Sequence, residues 1–217
     1  MSKISPIFIF SIVFFFSNEI KSQSWHNSEK SSHSFIQNNF IANTFADQFY
    51  NSENYSGFDT LGYYRRMLNI NKNGMFALGG WAAANIISGI YFKRKTTLDA
   101  LKYFHEANVY WNIVNLGLAT YGLLSYAGNY DKNTSFSNLF IKQHNYEKIY
   151  LFNAGLDVGY YFLGRYLSEK ADNSPSTARL SGYGTSLMLQ AAFLIAFDIS
   201  MYLIHRHQAK SKLYKQL

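Results

Sequence analysis

Several polar side chains stand inside stretches of the chain that are otherwise too apolar to hold them, and their spacing is helical. Asn85, Asn112, Asn115, Asn153, Asp157, Gln190 and Asp198 all fall within such stretches. In one such run His105, Asn108, Asn112 and Asn115 recur at steps of three and four, which at about 100° per residue is a single stripe on a helix. Tyr150, Asn153, Asp157, Tyr161 and Gly164 line up in the same way, as do Gln190, Asp198 and His205, while Trp81, Asn85 and Gly89 share a face. Amide and carboxyl groups in an apolar medium need partners, so three chemistries are open to such a cluster. Amides can hydrogen-bond between helices and hold them together; two carboxyls can move a proton or an ion; and His144, Glu147 and His205, placed at one end, can ligate haem iron or a divalent metal.

The elements that would position these residues are helices. Gly74 to Phe92 and Ala107 to Tyr130 carry no ionisable residue, Ile149 to Gly164 reaches spanning length by accepting Asp157, and Leu180 to Ile204 contains Asp198. About 20 residues suffice to cross a bilayer as a helix. A core helix of a soluble protein keeps a charged face, and the first two runs have none. The strict alternation of a membrane barrel is absent. The expected architecture is all-α: a membrane four-helix bundle with spans at about 74–92, 107–130, 147–167 and 182–205, followed by a basic tail over 206–217. Gly79, Gly80, Gly89, Gly117, Gly122, Gly155, Gly159 and Gly164 are expected to permit close helix approach. Tyr63, Tyr64, Arg65 and Arg66 are expected to anchor the first span at the interface.

Upstream, Lys3 precedes an uncharged Phe- and Ile-rich stretch from Ile4 to Asn18, short of a spanning helix, and Ser22-Gln23-Ser24 offers small residues for cleavage before Trp25. Residues 1–24 are therefore expected to be a signal peptide, or else an uncleaved anchor. Residues 25–73 read as a polar extracytoplasmic or interfacial segment, in which Ile36, Phe40, Ile41, Phe45 and Phe49 suggest a surface helix. Two signals on orientation conflict: export puts Lys93, Arg94, Lys95 and Lys102 in the cytoplasm, as the positive-inside rule prefers, but puts the basic tail outside.

Composition narrows the function classes. The 217 residues carry 20 basic and 13 acidic side chains, a formal charge of +7, with 48% hydrophobic and 18% aromatic residues and no cysteine. Thiol nucleophiles, disulfides and thiolate metal sites are excluded. The basic residues are spread over the loops, which fits anionic lipid headgroups and not nucleic acid. No phosphate-cradling loop, zinc-protease helix or nucleophile elbow is present, so neither an enzymatic activity nor a bound cofactor is expected. Gly182-Tyr183-Gly184-Thr185-Ser186 lacks the basic residue of a phosphate loop. The mean hydropathy of −0.15 averages apolar helices with a very polar segment.

Four stretches carry a resemblance: MFALGGWAAANIISG (Met75–Gly89), FHEANVYWNIVNLGLATYG (Phe104–Gly122), QHNYEKIYLFNAGLDVGYYFLG (Gln143–Gly164) and GYGTSLMLQAAFLIAFDISMYLIH (Gly182–His205). Together they resemble a family of uncharacterised four-span membrane proteins of Bacteroidota, over roughly Tyr64 to His205. The resemblance implies membrane location and helix number; it carries over no site residue. On this reading the chain is an inner-membrane protein that partners the lipid bilayer and acts as a structural or interaction component, alone, as a homo-oligomer or with a protein partner. A solute, ion or proton pathway through the Asn, Asp and Gln cluster, and a haem or metal site at His144 and His205, are the alternatives.

Overall fold

The computed structural model describes residues 58–128 and 135–216. The expected signal peptide at 1–24 and the amphipathic pattern between Ile36 and Phe49 lie outside the described residues. Those described are all helical, with four long helices and no strand among them.

Helix α1 spans Thr60–Lys95. Asp59 caps it by accepting the Gly62 backbone N–H at 2.7 Å, and Lys93, Arg94 and Lys95 fill its last turn, where the carbonyl end of the helix dipole favours cations. Helix α2 is Asp99–Gly128, with Asp99 in its first turn. Helix α3 is Phe136–Ala171, capped by Ser135, whose hydroxyl accepts the Asn138 N–H at 3.3 Å. After a turn containing Pro175, helix α4 covers Thr177–Gln208 and runs on through a π-helical turn at Ala209–Leu213 and a 3-10 turn at Tyr214–Gln216.

The helices alternate in direction. Lys93 meets Glu106 and Gly79 faces Ala119, so α1 and α2 are antiparallel. Tyr63 reaches Gln143 and Tyr150 reaches Asn71, so α1 and α3 run the same way. Glu147 pairs with Arg206 while Gly164 lies on Gly184, so α4 opposes α3. The closest packing is α1 on α2 and α3 on α4, with α4 also against α2.

Glycine sets two of these approaches. A Cβ on Gly164 would stand 2.7 Å from the Gly184 carbonyl oxygen, and one on Gly182 would strike the Ala100 carbonyl and the Phe104 nitrogen. Any larger residue there drives backbone apart from backbone. The expectation for the other glycines holds only in part: Gly80, Gly117, Gly155 and Gly159 have nothing within 4 Å of a Cβ position, because they turn to the outer face.

Polar side chains share the interior with apolar ones, and large apolar side chains face outward. Asn71, Asn112, Gln143, Gln190 and His205 are fully buried, whereas Ile87, Leu124 and Phe162 are 70%, 68% and 66% exposed. Among the described residues two helices are long and apolar enough to cross a membrane, Thr60–Lys95 and Thr177–Leu213. The other two, α2 expected as a span on its lack of charge and α3 by accepting Asp157, fall short on mean hydropathy, since they carry their Asn, Tyr and Asp residues within the same windows.

Two boundaries move. Helix α1 begins at Thr60, well before Gly74, so part of the segment expected to be polar and interfacial is core: Tyr63, Tyr64 and Met67 bury themselves with Leu139 and Leu213. Tyr63 and Tyr64 are thus 2% and 4% exposed and do not serve as interfacial anchors. The basic tail is not free either, because Ala209 and Leu213 are fully buried and draw the turn after α4 back onto α1 and α3.

Candidate functional site

The buried polar residues form layers along the helices. In the layer between α1, α2 and α4, Asn108 is the hub. Its Nδ2 donates to Asn85 Oδ1 at 2.7 Å, and its Oδ1 accepts from Gln190 Nε2 and from the Ser186 hydroxyl. Gln190 Oε1 in turn accepts the Trp81 indole N–H at 3.0 Å, and that indole stacks on Phe193 at 4.0 Å. Asn85 and Asn112 use their amide NH2 groups on the carbonyls four residues earlier, Trp81 and Asn108, at 2.8 Å each. Asn112 Oδ1 and Asn115 Nδ2 are left buried without a partner.

A second layer lies where α1 and α3 begin and α4 ends. Asn71 Nδ2 donates to Met67 O at 3.1 Å, which turns its Oδ1 toward Tyr150 and His205. That oxygen accepts the Tyr150 hydroxyl at 2.8 Å and lies 3.1 Å from His205 Nε2. An amide oxygen cannot donate, so Nε2 carries the proton, and Nδ1 is buried with no partner. The imidazole lies nearly parallel to the rings of Tyr146 and Tyr150, at 5.3 and 5.6 Å.

Gln143 ties the layer together. It accepts from the Tyr63 hydroxyl at 2.9 Å and donates to Glu147 at 3.1 Å and to the His205 carbonyl at 2.9 Å. Glu147, only 4% exposed, also pairs with Arg206 at 3.0 Å and accepts the Tyr214 hydroxyl at 3.3 Å. Burial and the Glu147 carboxylate together push the Tyr214 phenol above its ordinary range.

Between the layers Asp157 of α3 and Asp198 of α4 are neighbours, each 5% exposed. No ion pair among the described residues involves either. Two buried carboxylates side by side repel, so the pair is most stable when a proton is shared between them. Asp157 Oδ2 has no partner. At the far end Lys93 meets Glu106 at 2.6 Å, and Tyr183 donates to the same carboxylate at 3.3 Å.

Of the residues singled out in the sequence, Asn85, Asn112, Asn115, Asp157, Gln190 and Asp198 are buried, as are Glu147 and His205. Asn153 is only half-buried, since Ala154, one position on, takes the inward place between Tyr150 and Asp157. Tyr161 is likewise exposed. His144 is exposed, not gathered with Glu147 and His205: the inward stripe of α3 is Gln143, Glu147 and Tyr150, and one residue's rotation carries His144 out against Phe140. Partial burial, with Lys148 nearby, holds its imidazole below the usual histidine range. Among the described residues no group of three or more His, Cys, Asp or Glu side chains is arranged to hold a metal ion.

Sequence reasoning missed Asn71, Gln143, Tyr63 and Ser186 and left Asn108 out of the cluster. Asn71 and Gln143 fall outside the expected spans, yet each sits at helical spacing from a buried partner, Asn71 four residues from Met67 and Gln143 four from Glu147. Extending the stripes through the charged flanks would have found them.

One family model matches the chain, over residues 77–199, more than half of its length; it describes a family of unknown function. The match covers the Asn108 layer and the Asp157–Asp198 pair and leaves out Asn71 and His205. No curated protein and no solved structure matches the chain.

Proposed function

The chain belongs to the family of unknown function DUF6992, and on that premise we propose an integral membrane protein, in a bacterial inner membrane, whose four helices all cross the bilayer. One observation carries this reading. Contacts of Asn71 with Tyr150 and His205 put Lys72, Lys148 and Arg206 at one level. Contacts of Glu106 with Lys93 and Tyr183, and of Gly164 with Gly184, put Lys93, Glu106 and Arg165 at another. Between these levels the only acidic or basic side chains on the four helices, Asp157 and Asp198, are buried. Along α1 the interval from Lys72 to Lys93 is about 30 Å at 1.5 Å per residue, the thickness of a bilayer's hydrocarbon layer.

Within that belt the amide hub and the Asn71 layer act as interhelical ties, each worth about 1 kcal/mol in an apolar medium. The role that follows is a structural or interaction component of the membrane, and no reaction is assigned to it. Because the chain has no cysteine, single cysteines can be introduced one at a time and labelled with a membrane-impermeant maleimide. Cysteines replacing Arg66 and Lys95 should label from opposite sides. Cysteines replacing Ile87, Leu124, Phe162 and Leu203 should stay unlabelled until the membrane is dissolved. Full labelling of these four in intact membranes would refute the reading.

A second reading, proton or ion movement, is favoured by the Asp157–Asp198 pair alone, two neighbouring carboxyls buried within the uncharged belt. Asp157→Asn and Asp198→Asn separate the two readings. Loss of a proton-dependent phenotype at normal protein level supports movement; an unchanged phenotype supports a structural pair.

A further inference from the structure

At the end of the molecule where α1 begins, a cleft of about 250 Å3 opens between that helix start and the turns that follow α4. Phe58, Asp59 and Arg66 line one side and Ser211, Lys212 and Lys215 the other. Arg66 comes from α1 and Lys212 and Lys215 from the turns after α4; all three are exposed, and none forms an ion pair among the described residues. Every other charged group at this end that approaches a buried carboxylate is used: Arg206 already neutralises Glu147. The Asp59 carboxylate, the one anion among the described residues that line the cleft, is turned to the Gly62 N–H as the helix cap. Among the described residues the cleft therefore holds an excess of unmatched positive charge, with an aromatic ring at its edge; the Ser211 hydroxyl beside it donates to the Gln208 carbonyl at 3.1 Å. Charge of this kind suits an oxyanion with several acceptor oxygens.

Its depth says where such an anion would come from. Arg66 lies six residues before Lys72, so the cleft stands about 9 Å beyond the edge of the uncharged belt at 1.5 Å per residue. Headgroups extend about 5–8 Å past the hydrocarbon on each side of a bilayer, so the cleft opens at their outer edge, within reach of the long Lys and Arg stems. We propose that the cleft binds the phosphate of an anionic phospholipid headgroup, an inference that rests on the membrane reading above for the source of the phosphate but not for the cleft's preference for an oxyanion.

The test uses the full-length protein in detergent, offered phosphatidylglycerol and phosphatidylcholine in equal amounts, with retained lipid counted by native mass spectrometry. The wild type should retain phosphatidylglycerol in preference. Basic residues near an anionic surface contribute about five-fold each, so combining Arg66→Gln, Lys212→Gln and Lys215→Gln should lower that retention at least about ten-fold. Asp59→Asn keeps a capping side chain and removes the opposing charge, so it should raise retention several-fold while helicity is unchanged. Equal retention of the two lipids, or retention indifferent to both the triple variant and Asp59→Asn, overturns the proposal. Saturable binding of inorganic phosphate with no preference between the lipids also overturns it, in favour of a soluble phosphate ligand. If the maleimide experiment fails while the charge variants still change phosphate binding, the membrane reading falls and the oxyanion preference of the cleft stands.

Discussion

Asn71 Oδ1 is shared by two donors from two other helices, the Tyr150 hydroxyl at 2.8 Å and His205 Nε2 at 3.1 Å. Three helices thus meet on one amide oxygen that is fully buried. Asn71→Leu strips both donors of their acceptor at once. Each orphaned buried group costs about 1–3 kcal/mol, so the variant should lose about 2–5 kcal/mol, read as a lower thermal midpoint in detergent. A shift no larger than that of an exposed control such as Ile87→Leu would mean that water or a neighbour replaces the amide.

The Asp157–Asp198 pair responds to the kind of substitution, not to substitution as such. Asp157→Asn still offers an NH2 donor to Asp198, and its midpoint should stay within about 1 kcal/mol of the parent. Asp157→Leu leaves the Asp198 carboxyl buried alone and should cost about 1–3 kcal/mol more. Equal effects of the two would show that the carboxyls do not bond in the native state.

Glycine substitutions should divide by location. Gly164→Ala places a methyl 2.7 Å from the Gly184 carbonyl and 2.9 Å from the Met188 nitrogen, both backbone atoms that cannot yield without moving α4. It should destabilise by at least about 2 kcal/mol, in the range of overpacked interiors. Gly155→Ala meets nothing within 4 Å and should be neutral or stabilising, by up to about 1 kcal/mol of helix propensity. Unfolding of the two variants side by side checks both signs.

Leu213 ties the C-terminal turn to the start of α1, packing with Tyr63, Tyr64, Met67 and Leu139. Leu213→Ala should cost about 2–5 kcal/mol. Because the same turn carries Lys212 and Lys215 of the cationic cleft, the variant should also release the end of the chain to protease, with cleavage after Lys210 or Lys212 as the readout. Resistance equal to the parent's would show that the turn is held by Tyr214 and Glu147 instead.

Much of this could be read from the chain alone. Long uncharged runs, the charges that bound them and the spacing of Asn85, Asn112, Asp157, Gln190 and Asp198 depend on covalent order and helical period, both local properties. They determine four helices with polar stripes, and they place Glu147 and His205 near one end. What local order cannot specify is the rotation of each helix about its axis relative to its neighbours. That rotation is decided where backbones meet at Gly164, Gly184 and Gly182, and it is why Gln143 faces inward while His144 does not, and why Ala154 displaces Asn153. The same limit applies along the axis. Hydropathy broke α1 at Gly74 because Lys72 and Asn73 are polar, but the helix continues through them, since Asn71 finds Tyr150 and His205 on other helices. The pairing of Asp157 with Asp198 and the assembly of Arg66, Lys212 and Lys215 around one cleft belong to the same class. Each joins residues from separate helices or turns, and only tertiary packing brings them within reach.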